Sequence, residues 1–112
     1  MVDSVFDWNL AISRAGGNRD LAHELTGMLM ETIRELKPQI KEALTQGHTQ
    51  KASELTHKLH GGVAYTGAKN LQHAAREFEQ LTRSGQLDEK AFKKLYEEMM
   101  LFEEFVLELN QD

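Results

Sequence analysis

Between Leu55 and Gly67 the chain reads LTHKLHGGVAYTG, with two histidines three residues apart and two adjacent glycines directly after them. Imidazole is suited to acid, base, metal-ligand or nucleophile chemistry near neutral pH, because its unperturbed pKa is about 6.5. The glycines are costly here, since each weakens a helix interior by about 1 kcal/mol relative to alanine. The rhythm around them is nevertheless helical. At about 100° per residue, Ala52, Leu55, Leu59 and Val63 gather on one face and His57 points about 155° away from its centre, into solvent. Gly61 falls beside His57 on the exposed side and Glu54 lies one turn earlier, while His60 sits on the flank and Gly62 nearer the core. Gly62 is therefore expected to admit a neighbouring helix. Gly61 bares backbone beside an exposed imidazole, where something large can approach. Lys58 and His60 stand close enough to favour an anion held on His57.

Rival chemistries in the same residues are weaker. Glu54-Leu55-Thr56-His57 has the Glu-x-x-His spacing of di-iron and di-manganese bundles, but that site needs a second such motif and two further inward glutamates. The one companion, Asp20-Leu21-Ala22-His23, lies near a helix start, and Glu54 and His57 point outward. A zinc set of His57, His60 and His73 fails similarly, because His57 and His73 project away from their core stripes. The chain has no cysteine, so thiolate zinc sites, disulfides and Cys–His hydrolysis are excluded. No strained nucleophile turn, P-loop or GxGxxG is present, so the chain is not expected to bind ATP. Met28, Met30, Met99 and Met100 read as core or flank filler, and Trp8 and Tyr96 as packing anchors.

The elements that must carry these residues follow from periodicity and punctuation. A short helix is expected over about 7–15, closed by Gly16-Gly17, with Asn18 capping a second helix over 19–46. In that helix Leu25, Leu29, Ile33, Leu36, Ile40 and Leu44 recur every three or four residues, and the phase holds across Pro38, so a kink is expected there rather than a break. Gly47-His48 turns the chain, and Thr49 is the expected cap of a third helix over 50–65. A fourth runs over 68–83 with Leu71, Ala74, Ala75, Phe78 and Leu81 on one stripe. Asp88 caps the last, over 89–109, whose seam is Phe92, Leu95, Met99, Phe102, Val106 and Leu109. Short connections between long helices make neighbours antiparallel. The fold class is all-α: an up-down four-helix bundle with a short N-terminal capping helix. Residues 1–112 form one domain with an ordered core of about 6–109, and Met1 to Ser4 and Gln111-Asp112 are expected to be loose ends.

Composition narrows the partners. Thirteen Lys and Arg against 18 Asp and Glu give a formal charge of −5, which disfavours a nucleic-acid surface. No apolar run reaches the roughly 18 residues of a membrane span, and no basic-then-apolar leader opens the sequence. A cytoplasmic setting without direct membrane contact is expected, and a self-contained bundle favours a monomer.

With these residues in place, His57-Lys58-Leu59-His60-Gly61 resembles the H-x-L-K-G signature of histidine phosphotransfer (HPt) domains. Ala52, Leu55, Gly67, the Leu71 to Leu81 helix and Pro38 all fall where that family has them, so the resemblance spans about Phe6 to Leu109. With His at the position of the usual Lys, the segment is most similar to the C-terminal HPt domains of BarA/GacS-type hybrid sensor kinases. The resemblance implies a phosphorelay intermediate, a phosphocarrier and not itself an enzyme, within a larger kinase on the cytoplasmic side of the bacterial inner membrane. Nε2 of His57 would accept a phosphoryl group from a receiver-domain aspartate and pass it to the aspartate of a response regulator. No cofactor is expected on this domain, with Mg²⁺ on the partner receiver. Gly61 would give the receiver room, Glu54 and Ala64 would belong to the docking face, and His60 or Lys58 would serve where the family has lysine. Glu79 stands where some members carry a glutamine bonded to the active histidine; on its helix flank it is within reach of His57 and can orient Nδ1–H, leaving Nε2 free. A non-phosphorylated helical adaptor is the alternative reading, and a metal-binding bundle a more distant one.

Overall fold

The apolar periodicities are realised as helices, with no strand among the described residues, in the computed structural model, which describes residues 5–110. The expected loose ends, Met1 to Ser4 and Gln111-Asp112, lie outside the described residues. In chain order the helices are α1 (Trp8–Arg14), α2 (Arg19–Thr45), α3 (Thr49–Val63), α4 (Lys69–Arg83) and α5 (Glu89–Leu109). Each of the four long helices packs on its sequence neighbour, and α5 returns to α2 and closes the ring. The bundle is that of the expected up-down arrangement, with α1 docked on α2.

Capping explains most of the boundaries. Asp7, Asn18 and Asp88 each accept a hydrogen bond from the backbone N–H three residues on, which satisfies a donor the helix cannot. Thr49 is the first helical residue of α3 and not its cap; His48 holds the cap position without a side-chain bond. At the other end α3 stops at Val63, two residues short of the expected Tyr65, because the chain turns through Thr66, whose hydroxyl bonds the Val63 carbonyl. Gly47 and Gly85 close α2 and α4 with φ of 71° and 84°, a conformation that costs glycine no steric penalty. α2 passes through Pro38 without interruption.

The expected stripes form the core, with exceptions at their ends. Leu29, Ile33, Leu36, Ile40, Ala52, Leu59, Val63, Leu71, Phe78, Leu95, Met99 and Phe102 are buried. Leu25, Leu44 and Leu81 are half-buried, and Leu109 is exposed where α5 runs past its neighbours. Met30 and Met99 are core residues, whereas Met28 and Met100 stand exposed and fill nothing. Trp8 and Tyr96 pack against the core as anchors.

The N-terminal segment fastens the connection that leads into α4. Phe6 stacks on Phe105 with ring centroids 4.9 Å apart, and the Asp7 N–H donates to the Gly67 carbonyl at 2.9 Å. Arg14 Nη1 donates to the Thr66 carbonyl at 2.7 Å. Gly67 is dictated by this approach, since a β-carbon there would lie 2.0 Å from the Asp7 carbonyl oxygen. The start of α4, and with it the register of α4 against α3, is thereby fixed.

Candidate functional site

α3 presents its histidines because its apolar residues commit the opposite face to the core. Ala52, Leu55, Leu59 and Val63 are buried with Thr56, whose hydroxyl turns back onto the Ala52 carbonyl. The His57 side chain is consequently 69% exposed, while that of His60, toward the α4 flank, is 23% exposed. Gly61 has open space around it, with nothing within 4 Å of where a β-carbon would stand. Gly62 departs from expectation. A β-carbon there would meet Leu29 Cδ1 of α2 at 3.7 Å, an ordinary contact, so α2 is the neighbour but its approach does not require glycine. Glu54 and Lys58 are exposed, Ala64 is half-buried at the end of α3, and all border the His57 face.

From α4 comes Glu79, a buried residue at 5% exposure, whose carboxylate holds the two histidines together. His57 Nδ1 lies 2.7 Å from Glu79 Oε2 and His60 Nδ1 lies 3.1 Å from Oε1. The flank position expected for Glu79 is thus correct, and its reach extends to both rings. A third donor was not foreseen: Arg83 Nη2 bonds Oε2 at 2.9 Å. Its signal in the sequence is the i,i+4 spacing of an acid and a base on one helix face.

Burial works to raise the Glu79 carboxyl. The hydrogen bonds from His57 and His60, with the charges of His57 and Arg83, outweigh it and hold the group below its ordinary 4.5. Glu79 is therefore ionised near neutral pH, and an ionised carboxylate can only accept. Both rings must then present Nδ1–H to it. A neutral ring with its hydrogen on Nδ1 carries its lone pair on Nε2. His57 is left with a fixed orientation, an exposed position and a free nucleophilic nitrogen.

His73, offered with His57 and His60 as a zinc set, does not join them. Among the described residues no three His, Asp or Glu side chains converge as metal ligands. His23 packs its ring at a tilt against Trp8 instead, 4.4 Å between ring centroids, far along the chain from Glu54 and His57.

The Hpt domain family model matches residues 24–109, which includes all the groups around Glu79. This chain belongs to the Hpt domain family. It is 32% identical over 95 residues to the signal transduction histidine-protein kinase BarA of Escherichia coli (strain K12), a match covering 85% of this chain and 10% of that protein. Similarity to the sensor histidine kinase GacS of Pseudomonas protegens is also 32%, over 93 residues, 83% of this chain and 10% of the relative. The chain thus spans about a tenth of the length of these kinases. Its fold matches the crystal structure of the HPT domain from a hybrid histidine kinase of Shewanella with a TM-score of 0.89, at 25% identity, over 97% of this chain and 95% of that one. The role of the Hpt domain is histidine phosphotransfer in a phosphorelay, as a carrier and not a kinase. No described helix is long and apolar enough to cross a membrane.

Proposed function

We propose that His57 is the phosphorylated residue of this Hpt domain, taking the group from a receiver-domain aspartate and giving it to the aspartate of a response regulator. The observation that carries the assignment is the pairing of an exposed imidazole with a buried, ionised carboxylate on its Nδ1 at 2.7 Å. Attack by Nε2 transfers the phosphoryl group and leaves positive charge on the ring, which Glu79 is placed to stabilise. The domain supplies the nucleophile and its orientation, and Mg²⁺ belongs to the receiver.

A docking face for the receiver surrounds His57. Gly61 leaves its approach open, Glu54 and Lys58 give it a charged rim, and Ala64 lies at its end. Met28, exposed on α2, and the 62% exposed Tyr65, two residues past α3, are the apolar side chains we assign to its edge. Lys58 stands near His57 as a permanent positive charge toward an incoming phosphoryl group. The likeness to BarA and GacS supports a module of a hybrid sensor kinase on the cytoplasmic side of the inner membrane, and the self-contained bundle with its exposed docking face favours a monomer.

Transfer tests the proposal. Incubated with a phosphorylated receiver, the wild type should gain acid-labile, base-stable label, and His57→Gln should gain none while keeping its fold. Label that persists in His57→Gln defeats the assignment. A wild type that docks the receiver but takes no label would make the chain a helical adaptor.

A further inference from the structure

Resting on His57 as the acceptor, the shared carboxylate has a consequence for its neighbour. A neutral His57, with Nδ1–H on Glu79, attacks the phosphorus of an aspartyl phosphate through Nε2. The N–P bond forms, the bond from phosphorus to the aspartyl oxygen breaks, and the aspartate leaves with the electron pair as a free carboxylate. Nδ1 keeps its hydrogen, so no proton is released. The ring then bears one positive charge and the phosphoryl group two negative ones. The site gains one net negative charge on being loaded.

The groups able to answer that charge can be enumerated. Arg83 of α4 is a permanent cation already bonded to Glu79 Oε2, and Arg76 lies on the exposed side of α4 one turn before Glu79. On α3, Lys58 is a permanent cation about 100° around the helix axis from His57 and about 160° from His60, and Glu54 lies about 60° from His57 and about 120° from His60. α2, the other helix packed on α3, gives neither histidine a hydrogen bond or ion pair among the described residues, and meets this end of α3 through Leu29. His60 is the one group there, apart from His57 and the phosphoryl group themselves, whose charge can change near neutral pH. Its Nδ1 is held on Glu79 Oε1 at 3.1 Å, so its ring too is oriented by the carboxylate. Residues three apart on a helix have β-carbons about 5–6 Å apart, which puts the two rings side by side. With Nδ1–H on Glu79, the remaining ring nitrogen of His60, Nε2, carries a lone pair when the ring is neutral and a hydrogen when it is protonated.

We propose that phosphorylation of His57 draws a proton onto His60, whose Nε2–H then donates to a phosphoryl oxygen, so that loading of this domain is linked to proton uptake through the carboxylate the two rings share. The bonds balance: one proton from water adds to Nε2 of His60, and the net charge of the loaded site returns to that of the empty one. The contribution of His60 favours the phosphorylated state at lower pH and weakens as pH rises.

The test uses the whole domain, labelled with nitrogen-15 in its histidine rings and phosphorylated with phosphoramidate. Long-range proton–nitrogen spectra follow each imidazole through the neutral pH range. An opposite charge within about 4–6 Å strengthens proton binding by a factor of ten or more, so His60 should hold its proton at least about tenfold more tightly in the phosphorylated protein than in the empty one. His60→Lys should be phosphorylated with an equilibrium that lacks the proton taken up at His60 in the wild type, and His60→Gln should load less completely than the wild type at the acid end alone. Phosphorus on His57 with an unchanged His60 titration overturns the inference. Phosphorus on another residue overturns the assignment of His57 itself, and the phosphorus–nitrogen coupling tells the two failures apart.

Discussion

Two carboxylates are buried on adjacent helices of this bundle, Glu79 on α4 and Glu98 on α5, each 5% exposed. Their partners differ. Glu98 is met at 2.8 Å by Lys94, one turn earlier on its own helix, with a side chain 60% exposed to solvent. The proton on Lys94 is held more firmly for it, chiefly through that hydrogen bond. Glu79 receives donors from two helices, two of them the only pair of histidines on α3. A carboxylate answered by its own helix steadies that helix. A carboxylate answered across a helix interface fixes the orientation of side chains that face outward, and so converts packing into chemistry.

Four changes can break or sharpen this contrast. The largest effect is expected from Glu79→Ala: loss of the carboxylate that orients a metal-ligating histidine typically costs about 10–100-fold in affinity or activity, and by the same orienting logic phosphotransfer should fall by about that much while His57 stays exposed. Glu79→Gln should fall between this variant and the wild type, since one amide oxygen cannot serve both rings and Arg83. Rates equal to wild type in both variants would remove the orienting role.

Acid should test the Glu79 carboxylate next. The folded-state pKa of Glu79 is depressed, so its contribution to stability is complete above the unfolded value and is lost as pH falls from about 4.5 through the folded value. Denaturant midpoints measured across that window should decline more steeply in the wild type than in Glu79→Gln. Parallel curves would show that the rings do not hold the carboxylate ionised.

Arg83 has a 65% exposed side chain, and an exposed i,i+4 pair contributes about 0.3–0.5 kcal/mol to stability, so Arg83→Ala should lower stability by about that much and slow transfer far less than Glu79→Ala does. The smallest effect is expected from Glu98→Gln, with transfer unchanged and stability altered by less than about 1 kcal/mol. If Glu98→Gln slowed transfer as Glu79→Gln does, the distinction between in-helix and cross-helix carboxylates would fail.

Much of this site was legible before any coordinates. The outward direction of His57 and the flank position of Glu79 follow from helix phase, because the apolar stripes of α3 and α4 are regular enough to fix rotation. Gly62 misled because periodicity gives the direction of a residue but not the distance of its neighbour; Leu29 stands at ordinary contact. The exposure of Leu109 escaped for a related reason, since a stripe does not show where the facing helix ends, whereas Met28 lies about 100° off the α2 stripe and its apolar character alone suggested filler. The bonding of one carboxylate to both rings depends on the register between α3 and α4. That register is set by the chain around Gly67 and its approach to Asp7, a contact sixty residues apart in sequence.

The most direct measurement is the position of phosphorus on the ring. In the phosphorylated, nitrogen-15-labelled domain, phosphorus–nitrogen coupling should appear on Nε2 of His57, with Nδ1 still carrying its hydrogen toward Glu79. Coupling to Nδ1 of His57, or to either nitrogen of His60, would contradict the claim that the Glu79 carboxylate selects the nucleophile.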